Sequence, residues 1–301
     1  MTDMDKNEAQ GIKISLYGAL FLAILGISFS LITGSQAVLL DGVFNCIAVF
    51  TAWFALKISR MMEEPFSERL PVGYVAFEPF YILIKGLIVF GLSATVMTTS
   101  MLTLLSGGNE LKFGVVLIYI GIASIANITI YLVIKTRAKT STSPMLILEK
   151  ENWLINMLVT LSIAASFVLV ILLKDGVLKP VTVYIDQIIV IAVVLISIPV
   201  PIKAIRSGFK ELMLFGVDRP LYNKIRELIR SATAPFPEEN QKIFVVKTGR
   251  KYWISLFINP SGATIKTTLP DEIKDRIVKD LEKDFPIHNV DVIVTTDIGS
   301  G

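Results

Sequence analysis

The chain is poor in the residues that soft-metal and redox chemistry require. Among 301 residues there is one cysteine, Cys46, and one histidine, His288. A lone cysteine excludes an internal disulfide and any cysteine zinc cluster, and Cys46, set in an apolar stretch, reads as a small buried hydrophobe. A lone histidine in the tail reads as ordinary surface, and rules out a His-rich metal loop or a Ser/His catalytic arrangement. No glycine-rich nucleotide loop and no zincin motif occurs, so neither enzymatic activity nor a resident cofactor is expected. The net charge of +3 is too small and too dispersed for a nucleic-acid partner. Residues 1–10 are polar and acidic, not basic ahead of a small-residue cleavage site, so no signal peptide is read and the first apolar segment is expected to stay as a helix.

What is abundant is apolar. Hydrophobic residues make up 53% and charged residues 18%, with a mean hydropathy of +0.65. This composition points to a multi-spanning membrane protein in a lipid bilayer. Six segments reach the length of about 20 residues that a crossing needs, near 13–33, 37–58, 72–104, 112–134, 145–173 and 181–205. The third and fifth are overlong and are expected to tilt or project past the lipid. Lys57, Arg60 and Arg69 follow the second segment, Lys135, Arg137 and Lys139 the fourth, and Lys203, Arg206 and Lys210 the sixth. The opposite side offers Lys112, Lys174 and Lys179, so both termini are expected in the cytoplasm. Pro199 and Pro201 should kink or end the sixth helix. Gly18, Gly26 and Ser30, and Gly86 and Gly91, read as points of close helix packing.

Charge returns throughout residues 209–301, which sets a boundary near Arg206–Lys210 and two domains, 1–208 and 209–301. In the second, Asp218-Arg219-Pro220 opens a helix with Leu221, Ile225, Leu228 and Ile229 at helical spacing. Residues 242–247 and 252–258 read as strands around the turn Thr248-Gly249-Arg250-Lys251. A further helix carries Ile273, Ile277 and Leu281 on its inner face, and residues 290–296 make a third strand. The order α-β-β-α-β suggests a small open-faced sandwich.

Chemistry concentrates in the apolar half. Asp41 and Asn45 are four apart, so a helix places both on one face about 6 Å apart along its axis, a spacing for two oxygen ligands. A carboxylate within a membrane helix costs roughly 2.5 kcal/mol or more and normally faces a bundle interior or watery cavity. Asn152 and Asn156 repeat the spacing in the fifth segment, with Glu149 one turn earlier. Lys85, mid-helix in the third segment, needs a partner: it either pairs with Asp41 or Glu149 as a built-in counter-charge, or snorkels as a structural residue. Glu151 reads as an interfacial charge, and Glu63, Glu64 and Glu68 as a solvated acidic loop. Glu78 could pair with Arg69 or touch an ion. Met97 and Met101 read as packing rather than a soft-metal path.

Several of these features occur together in one family. They are a Ser-rich, Gly-containing first helix followed by Ser35-Gln36-Ala37-Val38-Leu39-Leu40-Asp41, then Arg69-Leu70-Pro71-Val72-Gly73-Tyr74 with Phe77-Glu78-Pro79. Glu149 to Asn156 with Trp153, Asp186 at the sixth helix, and Gly208-Phe209-Lys210-Glu211-Leu212 complete the set. Over about residues 12–297 the chain resembles the cation diffusion facilitators, dimeric metal-exporting antiporters.

The resemblance implies an all-α bundle of six membrane helices followed by a cytoplasmic α+β ferredoxin-like (metallochaperone-like) domain, a homodimer formed partly through that domain, and placement in the cell (inner) membrane. It implies export of a cation in exchange for protons by alternating access. The four ligand positions fall on Asp41, Asn45, Asn152 and Asn156, with Lys85 and Glu149 as possible pathway or coupling residues. In the family these positions usually hold Asp or His, so three of the four have lost their charge here. Asp41 is then the main ligand and the proton acceptor. Amide oxygens suit a hard ion such as Mn²⁺, Mg²⁺ or Fe²⁺ better than Zn²⁺, which prefers imidazole and thiolate. The tail lacks the family's cytoplasmic metal ligands, for residues 292–297 read Val-Ile-Val-Thr-Thr-Asp, and is expected to dimerise rather than sense zinc. The contrasting expectation is a non-transporting dimeric scaffold whose degenerate site binds nothing.

Overall fold

Long apolar runs with few helix breakers give the first two-thirds of the chain its form. A computed structural model describes residues 3–33, 36–62, 74–108, 114–139, 141, 143–173, 182–233, 237, 240–260, 268–282, 284–285 and 288–295. The chain divides into two compact units, Met1–Gly208 and Phe209–Gly301.

The first unit is helical, with α1 (Asp3–Thr33), α2 (Gln36–Met61), α3 (Phe77–Leu105), α4 (Val115–Ala138), α5 (Pro144–Leu173), α6 (Thr182–Ser197) and most of α7 (Pro199–Leu212). Among the described residues, five stretches are long and apolar enough to cross a membrane: Asn7–Ile32, Asp41–Met61, Phe77–Leu105, Val116–Ala138 and Val183–Leu212. The 30-residue α5 carries Glu149, Lys150 and Glu151 near its start and no charged residue from Asn152 to Leu173. α6 and α7 are separated at Ile198 because Pro199 and Pro201 have no N–H for the carbonyls of Leu195 and Ser197.

Polarity in this unit is inverted relative to a soluble protein. Leu31 is 81% exposed and Ile196 73%, whereas Glu149 is 1% exposed and Lys85 5%. Apolar side chains directed outward from long helices meet lipid tails at no cost, while the polar groups must find partners inside. α1 packs on α2, α4 and α5, and α3 on α2, α5 and α6. Leu22, Tyr119 and Trp153 belong to one buried cluster and Ile12, Ile58 and Tyr81 to another.

Close packing is strongest where α1 crosses α2. A Cβ on Gly26 would lie 2.7 Å from Gly42 Cα, and one on Gly42 would lie 2.9 Å from the Ile27 nitrogen, so only hydrogen fits between the backbones. Gly91, expected as a packing point, faces open space instead. Cys46 is likewise exposed rather than buried, because it follows Asn45 on α2 and is turned about 100° from that inward residue.

The second unit contains α8 (Arg219–Thr233), β1 (Gln241–Thr248), β2 (Lys251–Ile258), α9 (Leu269–Leu281) and β3 (His288–Val294). β1 and β2 are antiparallel with Thr248 opposite Lys251, so Gly249 and Arg250 form a two-residue turn. Gly249 takes φ +60°, a conformation that favours glycine. β2 and β3 are parallel, giving the order β1-β2-β3. Ile225 and Ile229 of α8 and Ile273, Ile277 and Leu281 of α9 close on Val245, Ile254, Leu256 and Val290 of the sheet. The period-two alternation turns Phe244 to the other face, where its ring meets Phe257 edge-on at 5.7 Å. His288 is half-buried, not surface, and its Nδ1–H donates to the Phe285 carbonyl at 2.6 Å.

Candidate cation site

Several helices of the first unit carry charge into its interior, and around one cavity the structure pairs those charges unequally. On α3, Lys85 lies one turn after Tyr81. On α5, Glu149 lies one turn before Trp153. The Lys85 ammonium contacts Glu149 Oε1. The same oxygen accepts the Tyr81 hydroxyl at 2.7 Å, and Oε2 accepts the Ser15 hydroxyl at 2.7 Å. Ser15 Oγ in turn accepts the Trp153 indole N–H at 2.8 Å. The ammonium also sits 5.7 Å from the centre of the Tyr81 ring. The partner of Lys85 is therefore Glu149 and not Asp41. Both oxygens of this carboxylate are occupied, which is the condition under which a buried ion pair persists.

Asp41 has a different setting. Its Oδ2 accepts the Tyr119 hydroxyl. Asn45 Nδ2 donates to the Asp41 main-chain carbonyl at 2.9 Å and reaches Oδ2 at 3.4 Å. These two contacts are neutral, so the negative charge of Asp41 has no cationic partner among the described side chains that border it. Because the Asn45 amide nitrogen is turned back on its own helix, only its carboxamide oxygen is available to a ligand.

Asn152 is buried beside these groups, and among the described residues neither its Nδ2 nor its Oδ1 has a partner. On α4, Asn127 donates from Nδ2 to the Ala123 carbonyl at 2.9 Å and to Thr160 Oγ1 at 3.2 Å, while its Oδ1 is unpartnered. The Ala123 carbonyl can only accept, which fixes the amide nitrogen on that side and the oxygen on the other. Asn156 is exposed. Its main-chain carbonyl accepts the Thr160 hydroxyl at 2.9 Å.

One cavity of about 150 Å³ joins these residues. Asp41, Asn45, Lys85, Glu149, Asn152 and Asn156 all border it, and so do Asn127 and Ser197. Among the described residues no group of three or more His, Cys, Asp or Glu side chains is placed to hold a metal ion. The donors are oxygens, two of them carboxylates and the rest neutral, with the ammonium that meets Glu149 in the same wall. Such a chamber can accept a hard cation and can store a proton on Asp41.

Sequence reasoning missed Tyr119, Asn127 and Ser15. Asn127 had a legible signal, an amide in the middle of the apolar run of α4, where only an interior position is tolerable. Tyr119 and Ser15 had none, since both residue types are common in membrane helices. Lys150 holds Glu151 at 2.9 Å on the partly exposed side of α5. Glu63, Glu64, Glu68 and the motif at 69–73 lie outside the described residues, as do Lys112, Lys174, Lys179 and the side chain of Asp186.

Apolar helices enclosing a polar, oxygen-lined chamber define an integral membrane protein. A family model for the cation efflux transmembrane domain matches residues 12–213. The chain belongs to that family, the cation diffusion facilitators, and is a multi-pass membrane protein that transports cations. The family is one of transporters and not of enzymes. No curated protein matches the chain.

Proposed function

We propose that the protein exports a cation in exchange for protons, alternating between inward-open and outward-open states about the cavity between α2 and α5. Asp41 is the main ligand and the proton acceptor, and Asn45, Asn152 and Asn156 supply neutral oxygens. The observation that carries this reading is Asn152, a buried amide with both polar atoms unpartnered, beside a carboxylate that no cation neutralises. An idle amide at that depth forfeits about 1–3 kcal/mol, which a ligand in the chamber recovers. On donor type alone Mn²⁺, Mg²⁺ and Fe²⁺ rank ahead of Zn²⁺.

Six crossings complete the domain in this proposal, with α5 as the fifth and α6 with α7 as the sixth. The basic turns that end α2 and α4 face the cytoplasm, as do both termini, in the cell (inner) membrane. Lys57 over Trp53 and Lys135 over Tyr131, 5.8 and 5.5 Å from the ring centres, fit side chains at a membrane interface. The α-β-β-α-β unit is read as ferredoxin-like and as part of a homodimer contact. The test is transport in proteoliposomes carrying an internal pH dye, with a panel of cations. If none moves protons, the antiporter reading is lost.

The second reading is a non-transporting dimeric scaffold. The Lys85–Glu149 pair favours it, since that part of the site is already satisfied without an ion. Loss of cation flux together with an intact, folded dimer would establish it.

A further inference from the structure

Donor type does not fix the valence of the carried ion; charge does. Among the described residues, the charged side chains bordering the cavity are Asp41, Lys85 and Glu149. Lys85 and Glu149 are in contact, with Tyr81 and Ser15 completing the carboxylate's shell, so they cancel each other. Asp41, met by Tyr119 and Asn45, is left as a single uncompensated negative charge. The remaining unpartnered donors are neutral: Asn152, Asn127 Oδ1 and the buried hydroxyl of Ser197. Pro201, having no N–H, also leaves the Ser197 carbonyl without its helical donor.

We propose that the carried cation is a monovalent alkali-type ion, and that Lys85 sets this valence by neutralising Glu149 and leaving Asp41 alone to meet the cargo. The inference rests on the transporter reading above. With the ion bound, the cavity sums to zero: one positive cargo, Asp41 negative, and the cancelled pair. With a proton on Asp41 it also sums to zero. The step is one ion for one proton: with the cavity open to one side, the O–H bond of Asp41 breaks, the proton leaves to that side and the ion from that side takes its place on the carboxylate; once the cavity opens to the other side, the ion leaves and a proton from there re-forms the O–H bond. A divalent ion leaves one positive charge uncompensated inside a low-dielectric wall, and affinity for divalent ions falls with each charged ligand removed. Asn152 and Asn127, from two different helices, supply the oxygens that replace part of the ion's hydration.

The test uses the full chain in proteoliposomes with an internal pH dye and a potential-sensitive dye, challenged separately with NaCl, KCl, MgCl₂ and MnCl₂. Na⁺ or K⁺ should move protons with no change in potential, and Mg²⁺ and Mn²⁺ should be inert. Proton movement by Mg²⁺ or Mn²⁺ but not by Na⁺ or K⁺ would overturn the inference and leave the transporter standing. Proton movement by no ion would overturn both. Lys85→Met leaves two negative charges and should shift preference towards the divalent ions by roughly 100-fold. The double variant Lys85→Met with Glu149→Gln restores a single negative charge without a buried unpaired group, so it remains informative if Lys85→Met does not fold. It should keep Na⁺ and K⁺ ahead of Mg²⁺ and Mn²⁺, whatever its rate, and a reversed order in it would defeat the inference.

Discussion

Two carboxylates line the same cavity and are treated in opposite ways. Glu149 is enclosed by an ammonium and two hydroxyls, each with its own supporting contact. Asp41 has a tyrosine, an asparagine and no cation. The first arrangement is what a membrane protein builds when a charge must stay put, because both oxygens are engaged and the charge is neutralised, so nothing is gained by movement. The second leaves a charge without a fixed counter-ion, the condition that the proposed exchange of ion and proton at Asp41 requires. The difference separates a fixed structural pair from a carboxylate without a cationic partner at the border of one cavity, where residue type alone makes the two look alike.

The comparison breaks first at Lys85. Replacing it with methionine strands Glu149 in an apolar interior and should cost about 3–5 kcal/mol, read as a fall in the thermal midpoint of the detergent-purified protein. Adding Glu149→Gln should recover most of that loss, because an amide among hydroxyls carries no unpaired charge. A single variant as stable as the parent would show that the pair is not the fixed one.

Asp41→Asn should do the reverse. It should abolish cation-driven proton flux in proteoliposomes while lowering stability by no more than about 1–2 kcal/mol, since only neutral contacts are disturbed. Undiminished flux would move the exchangeable site elsewhere. A finer test is Asn152→Leu, which removes the idle amide. Stability should rise by about 1–2 kcal/mol as cation affinity falls roughly tenfold, the opposite signs expected of a residue kept for binding. Calorimetry and ion titration of the same sample would read both. The smallest effect is expected at Tyr119→Phe, about 1 kcal/mol in stability, with flux retained at an altered ion affinity.

Much of this was legible in the sequence, and the boundary of legibility has a physical cause. Apolar length and charge asymmetry located the helices because lipid imposes them locally, residue by residue. The α-β-β-α-β order of the tail followed from turn and cap residues such as Gly249 and Pro270. The four-residue spacings of Asp41 with Asn45 and Asn152 with Asn156 placed these side chains on single helix faces, and all four border one cavity. What spacing could not supply was the choice between helices. Lys85 had two acidic candidates, and only the packing of α3 on α5 selected Glu149. Asn127 belongs to a helix whose charges, Lys135 and Arg137, are confined to its last turn, so its part depends on the tether to Ala123 and Thr160. Gly91 and Cys46 failed for the same reason, since a helix pattern says which residues share a face and not what that face meets.

The hydrogen-sized gap between Gly26 and Gly42 has a mechanical consequence. Ile27 follows Gly26 and Asp41 precedes Gly42, so sliding α2 along α1 by even one residue would drive a side chain into a space that admits none. The two helices are thus keyed together at the level of the carboxylate. In the alternating-access cycle proposed above, a rearrangement that turns Asp41 from one side of the membrane to the other would carry α1 with it, and the slip plane would lie elsewhere in the bundle. Gly42→Ala should jam or splay that key, at a cost of about 1–3 kcal/mol in the folded protein, and a cross-link between α1 and α2 should leave turnover untouched.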